Sequence, residues 1–348
     1  MKGVGIITLR ATCIGLFSGI ALTGSKSTFR SHETYIHSKV TPSELPDTSI
    51  LSPFASDMVE TTPFLAVAPE IPESVVFCGE TIDLKRNDLR ERFDREMMAM
   101  MYMHSASLTL LKRANRYFPL IEPILKANGV PDDMKYLACI ESTLNPRAIS
   151  PVKAVGLWQF MPETALQYGL EVSDYVDERY HIEKSTEAAC KYLKSAYNKY
   201  KDWTSACASY NAGMNRISVE MERQKATSGM DLWLVDETQR YVFRILACKL
   251  FFEDPKKFGF NIKSDQLYQP VQFKDSILNQ PVQNWVAFAL NSGITYYELK
   301  TYNSWIRGDS LPNPTSKPYK VSIPINESRF FEKKNVIVHQ SNWVTDSK

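Results

Sequence analysis

The sequence has no CxxC pair, no HExxH and no glycine-rich phosphate loop, so the common zinc, redox and nucleotide signatures are missing. Its five histidines are scattered without ligand spacing, and neither a metal nor a cofactor is expected. Beyond Cys13 the cysteines are Cys78, Cys139, Cys190, Cys207 and Cys248, an odd number that cannot all pair within one chain. Four of them fall in helical apolar patterns, where cysteine acts as a small core residue. An excess of one charge is missing too: 41 basic against 39 acidic residues leave +2. That balance supports neither nucleic-acid binding nor electrostatic capture by an anionic membrane. What is present is apolar side chain, 44% hydrophobic and 11% aromatic over 348 residues, enough for a well-buried core.

Residues 1–25, MKGVGIITLRATCIGLFSGIALTGS, read as a signal peptide or N-terminal anchor. Lys2 supplies the positive start, the apolar stretch runs to Leu22, and Thr23, Gly24 and Ser25 are small. Arg10 interrupts the apolar run and disfavours a stable membrane-spanning helix. No cysteine follows Leu22 directly to take a lipid. The expected location is outside the cytoplasm, in the periplasm or cell envelope, with membrane association through this segment if it is retained. Residues 26–82 are rich in Ser, Thr, Pro and Glu and read as an extended linker, with a short strand at VVFC (75–78). Residues 83–262 carry a sustained helical pattern. Residues 263–348 suggest strand, helix, helix, strand, a small module separate from the helical domain. The fold class is therefore mainly α with a small α+β C-terminal module.

Within the helical part, Gly129 ends one helix and Pro131, with Asp132 and Asp133, opens the next, which Pro146 is expected to stop. In YLACIESTLNP (136–146) the only charged side chain is Glu141. Met134, Leu137 and Ala138 share one face, and Glu141 continues it at the i+7, i+4 and i+3 offsets, pointing coreward. A lone carboxylate in uncharged surroundings suits an acid held protonated. Raising a glutamate from about 4.3 to above 6 takes roughly 2.5–3 kcal/mol. Glycoside cleavage normally takes two carboxylates, but Asp174, Asp177, Glu178 and Asp202 lie in polar segments and read as structural or solvated. One acid suffices where the sugar itself supplies the second group.

Four stretches together resemble the lytic murein transglycosylases with the goose-lysozyme-like catalytic fold: IESTLNPRAIS (140–150), AVGLWQFMPETALQYGL (154–170), VDERYHIEKSTEAACKYL (176–193) and ASYNAG (208–213). GLWQFM, DER and DETQRYV (236–242) resemble the membrane-bound type D branch. The resemblance implies cleavage of the β-1,4 bond between N-acetylmuramic acid and N-acetylglucosamine in peptidoglycan strands, leaving a 1,6-anhydro end. Glu141 matches the catalytic acid. Ser142, Ser150, Gln159, Tyr210, Asn211 and Tyr241 match substrate-site residues, with the Tyr210 phenol placed to bond the acid and the Asn211 amide to bind acetamido groups. Trp158 and Phe160 read equally well as core or as sugar platforms. Lys153 stands where the family usually has glycine, which puts a glycine-permitted conformation of that loop in question. The C-terminal module resembles a degenerate LysM domain through Trp285, Leu299, Asn303 and YKVSIP. A hydrolytic lysozyme on the same fold and a non-catalytic peptidoglycan-binding protein are the competing readings.

Overall fold

Two long helices begin the helical part: α1 (Asn87–Tyr102) and α2 (His104–Ala127), separated at Met103, whose ψ of 60° leaves the helical region. The computed structural model describes residues 66–346; the expected leader and most of the linker lie outside them. Leu110, Leu111, Ala114, Phe118, Ile121 and Leu125 form the buried stripe of α2. Gly129, at φ 65°, ends it. A single 3₁₀ turn over Asp132–Met134 then leads into α3 (Lys135–Ser142), the helix that bears Glu141.

This helix stops earlier than Pro146 predicts. Thr143 and Leu144 are both left-handed, at φ 53° and 52°, and break the helical hydrogen-bonding run. Arg113 of α2 donates from Nη1 to the Thr143 carbonyl at 2.9 Å and holds the reversal in place. The chain then passes through the 145–160 loop into α4 (Pro162–Gln167), with Pro162 at its first turn. α5 (Ile182–Tyr200) follows. Next comes α6 (Trp203–Ala212), whose Asp202 caps the Thr204 and Ser205 amides at 3.0 and 3.1 Å. Nearly every residue of α6 is buried, so it is the central helix, packed by α5, α7 (Met214–Gln224) and α8 (Asp236–Glu253). Arg240 of α8 reaches the buried Glu96 of α1 at 2.5 Å and fixes α8 across the bundle.

Two expected boundaries move. Part of the expected linker is a hairpin, β1 (Ser74–Phe77) and β2 (Glu80–Asp83), with Val75 and Phe77 in the helical core. The short strand expected at VVFC is β1, whose inward Val75 and Phe77 alternate with outward residues; its partner β2 was not foreseen. At the other end, β3 (Phe273–Leu278), α9 (Trp285–Asn291), α10 (Tyr296–Tyr302) and β4 (Tyr319–Pro324) form the module, in the expected order, with β3 and β4 antiparallel. Asn303 ties α10 to β4: its amide donates to the Ser322 carbonyl and accepts from the Ser322 amide, both at 2.8 Å. The tail then leaves the module. Trp343 and Val344 bury themselves in the helical core, and the Trp343 indole donates to the Phe252 carbonyl at 2.9 Å.

Nor is the module separate. Its core of Trp285, Leu299, Trp305 and Ile306 is continuous with Val155, Val176 and Tyr180 of the helical part. Residues 69–346 pack as a single unit.

Candidate active site

Glu141 leaves only 6% of its surface exposed, at the last turn of α3, on the face shared with the fully buried Met134, Leu137 and Ala138. The helical phase seen in the sequence accounts for that direction. The Tyr241 hydroxyl of α8 donates to Glu141 Oε1 at 2.5 Å, and Tyr241 is itself 2% exposed. The phenol seen bonding the carboxyl is thus from the 236–242 segment, one hundred residues away in sequence.

The neighbouring Ser142 donates from Oγ to the Leu157 carbonyl at 2.9 Å and accepts from the Asn145 amide at 3.2 Å. It fastens the 145–160 loop to the end of α3. Tyr210 of α6 donates to the Trp158 carbonyl at 2.8 Å, the next peptide along the same loop, and its ring packs edge-on against Tyr192 and Phe160. Ser150 accepts from the Ala154 amide at 3.0 Å and closes the tight turn between them. Gln159 takes φ 49° and donates from its side chain to the Gly156 carbonyl at 2.8 Å. Lys153, the residue in the glycine position, adopts φ 65°, so the glycine-type conformation in question is present on a lysine backbone. That backbone carries a cost on the order of 1–2 kcal/mol.

Asn211, next to Tyr210, is buried and accepts from the Thr238 hydroxyl at 2.7 Å, while its Nδ2 finds no partner among the described residues. Thr238 and Tyr241 lie one turn apart on α8, so the acid and the amide are both held by the same helix face. Helical spacing within DETQRYV is the signal that could have singled out Thr238. The structure joins Glu141 to Tyr241, Asn211 to Thr238, and Ser142 and Tyr210 to adjacent carbonyls of one loop. Ser150 and Gln159 bond within that loop.

Trp158 and Phe160 are core residues: Trp158 is fully buried and its indole donates to Thr186 Oγ1 at 2.9 Å. Cys139, two residues before the acid, is buried, and that burial pushes its thiol well above the ordinary value, which leaves it an inert packing group. Each further acid considered from the sequence is accounted for. Asp177 grips Arg179 through both oxygens at 2.9 and 2.7 Å. Glu178 pairs with Lys184 and, at 3.4 Å, with Lys317. Asp202 caps α6, and Asp174 is exposed. Asp177 and Glu178 are buried and structural, one of the two readings their polar segments allowed. No group of three or more His, Cys, Asp or Glu side chains suited to a metal occurs among the described residues.

A mainly helical unit with one buried carboxyl under a phenol, followed by a strand–helix–helix–strand module, defines a class. Residues 119–232 match the transglycosylase SLT domain family, and residues 274–327 match the soluble lytic transglycosylase C-terminal LysM-like domain. The chain carries both domains and is homologous to the membrane-bound lytic murein transglycosylase D of Escherichia coli K12. The two are 28% identical over 256 residues, covering 71% of this chain and 55% of that relative. The chain spans about half the length of the curated relatives it matches. Among solved structures, the 70 kDa soluble lytic transglycosylase of Escherichia coli is 24% identical with a TM-score of 0.35, over 41% of this chain and 25% of that one. A lytic transglycosylase from Pseudomonas aeruginosa is 20% identical with a TM-score of 0.32, over 38% and 23%.

Proposed function

We propose that this chain is a peptidoglycan lytic transglycosylase in which Glu141 serves as the sole acid and base. One observation carries the reading: the buried Glu141 is bonded by Tyr241, while the other acids the sequence offered are capping, ion-paired or exposed. That favours a mechanism with one enzymic carboxyl over one with two.

In the first step the protonated Glu141 gives its proton to the oxygen joining N-acetylmuramic acid to N-acetylglucosamine, and the bond from that oxygen to the muramoyl anomeric carbon breaks. The muramoyl acetamido oxygen supports the developing positive centre. In the second step the ionised Glu141 takes the proton of the muramoyl 6-hydroxyl, whose oxygen bonds the anomeric carbon. Glu141 ends protonated, no water is consumed, and the product is a 1,6-anhydro ring. Tyr241 orients the carboxyl and stabilises the carboxylate that exists between the two steps. We assign the Asn211 Nδ2, which has no partner among the described residues, to donate to a sugar acetamido carbonyl. Ser142, Ser150, Gln159 and Tyr210 shape the loop beside Glu141.

The substrate is peptidoglycan and the location the cell envelope, in keeping with the membrane-bound relative. No helix among the described residues is long and apolar enough to cross a membrane.

Glu141→Gln should lower turnover of purified sacculi by about 10²–10⁴-fold, with the thermal midpoint kept. Near-wild-type digestion by that variant would sink the mechanism. Mass spectrometry of the wild-type products should show anhydro ends, lighter than reducing ends by one water. Reducing ends alone would point instead to a hydrolytic lysozyme.

A further inference from the structure

The loop that borders Glu141 is built partly into the C-terminal module. Val155 is buried, yet it belongs to the module's core with Trp305 and Ile306, not to the core of the bundle. Beside it, Val176 pairs with Ile306 in an isolated antiparallel bridge. The Asp177 amide donates to the Trp305 carbonyl and the Arg307 amide to the Tyr175 carbonyl, both at 2.9 Å. Side chains close the same seam. The Arg307 guanidinium lies 4.4 Å over the Tyr180 ring, His181 stacks on Trp305, and Lys317 reaches Glu171 at 2.6 Å.

From this seam the contacts continue inward. Arg179, held in plane by Asp177, donates from Nη1 to the carbonyls of Lys153 and Phe160 at 3.1 and 3.2 Å, gripping the loop at both ends. Between those points Gly156 passes so close to the Arg179 carbonyl that a Cβ there would sit 2.0 Å from its oxygen. One residue further, the Leu157 carbonyl accepts from Ser142, the neighbour of the acid. The left-handed residues Lys153 and Gln159 lie inside the gripped span, so an ungripped loop would relax away from this shape.

We propose that the C-terminal module is a positioning element for the active-site loop, with Val155, Trp305 and Arg179 as its positioning residues. Module packing then sets kcat, separately from any part the module has in holding glycan. The proposal rests on the transglycosylase reading of the Glu141 site.

The test compares wild type with Val155→Gly, which withdraws the side chain from the module core, and with Val155→Ile as the conservative replacement. A soluble tetrasaccharide peptidoglycan fragment is the substrate, and hydrogen exchange of residues 153–160 is read in parallel. Val155→Gly should lower kcat about ten- to a hundredfold, the scale of a small misplacement of reacting groups, with KM within about twofold. Exchange at 153–160 should rise, sacculus pull-down should be unchanged, and Val155→Ile should recover most of the kcat. A wild-type kcat in Val155→Gly, or a loss confined to KM and sacculus binding, overturns the proposal. If Val155→Gly fails to fold, Val155→Ala gives the same readouts. A wild-type protein that releases nothing from sacculi would instead sink the transglycosylase reading, and exchange at 153–160 would still decide whether module and loop are mechanically joined.

Discussion

At the residue scale, the Tyr241–Glu141 bond is the contact most open to measurement. Tyr241→Phe removes one hydroxyl from a buried position and leaves the ring in its packing. A hydrogen bond to a charged group contributes about 1.5–3 kcal/mol, so kcat should fall roughly ten- to a hundredfold. KM should hold, because the bond acts on the carboxyl and not on the sugar. Steady-state kinetics on a soluble fragment checks this. Lys153 allows an opposite experiment. Its φ of 65° costs a lysine on the order of 1–2 kcal/mol, partly offset in a glycine variant by the greater freedom of the unfolded chain. Lys153→Gly should therefore raise stability by up to about 1 kcal/mol, seen as a higher midpoint in urea.

At the scale of elements, α3 is a short helix whose end is set by strain and not by proline. Thr143 and Leu144 are held left-handed where a β-branched residue is seldom found, and Arg113 of another helix stabilises the turn. Together with Lys153 and Gln159 they put four left-handed non-glycine residues within residues 143–159, next to the acid. The Asp177–Arg179 pair is the buried strut of the adjoining loop. Asp177→Asn leaves the guanidinium buried without its counter-charge and should cost about 3–5 kcal/mol of stability. Denaturant unfolding would show it, and a loss below about 1 kcal/mol would mean the pair is solvated in practice. Some of this level was legible: Gly129 and Pro131 mark the helix ends they were expected to mark. The stop at Thr143 was not, because its cause is a carbonyl taken by a side chain thirty residues earlier.

For the whole molecule, the seam between bundle and module carries a pH dependence. Burial, with Trp305 stacked on the ring, pushes the His181 imidazole down to about 4. The facing charges are Glu178, Glu183, Lys184 and Lys320. Its folded value lies below the unfolded one, near 6.5, so the unfolded chain binds the proton first as pH falls. The contribution is fully present above about 6.5 and is lost progressively down to about 4. A His181→Gln variant should flatten the fall in midpoint between those limits, read by thermal melts across the range. An unchanged slope would place the pH dependence on other groups.

Local pattern determined a good deal by itself. The period-3.6 stripe turned Glu141 inward, the uncharged run around it isolated one carboxyl, and glycine and proline punctuated the bundle. These are properties of neighbours in the chain, and neighbours suffice to set them. Tertiary structure decided that Tyr241 bonds the acid, that Thr238 holds Asn211, and that Trp158 is core and not a sugar platform. It also decided that the module shares its core with Val155 and that the tail returns to the bundle. Each depends on groups far apart in sequence meeting at hydrogen-bond or packing distance, and only the folded chain brings them there.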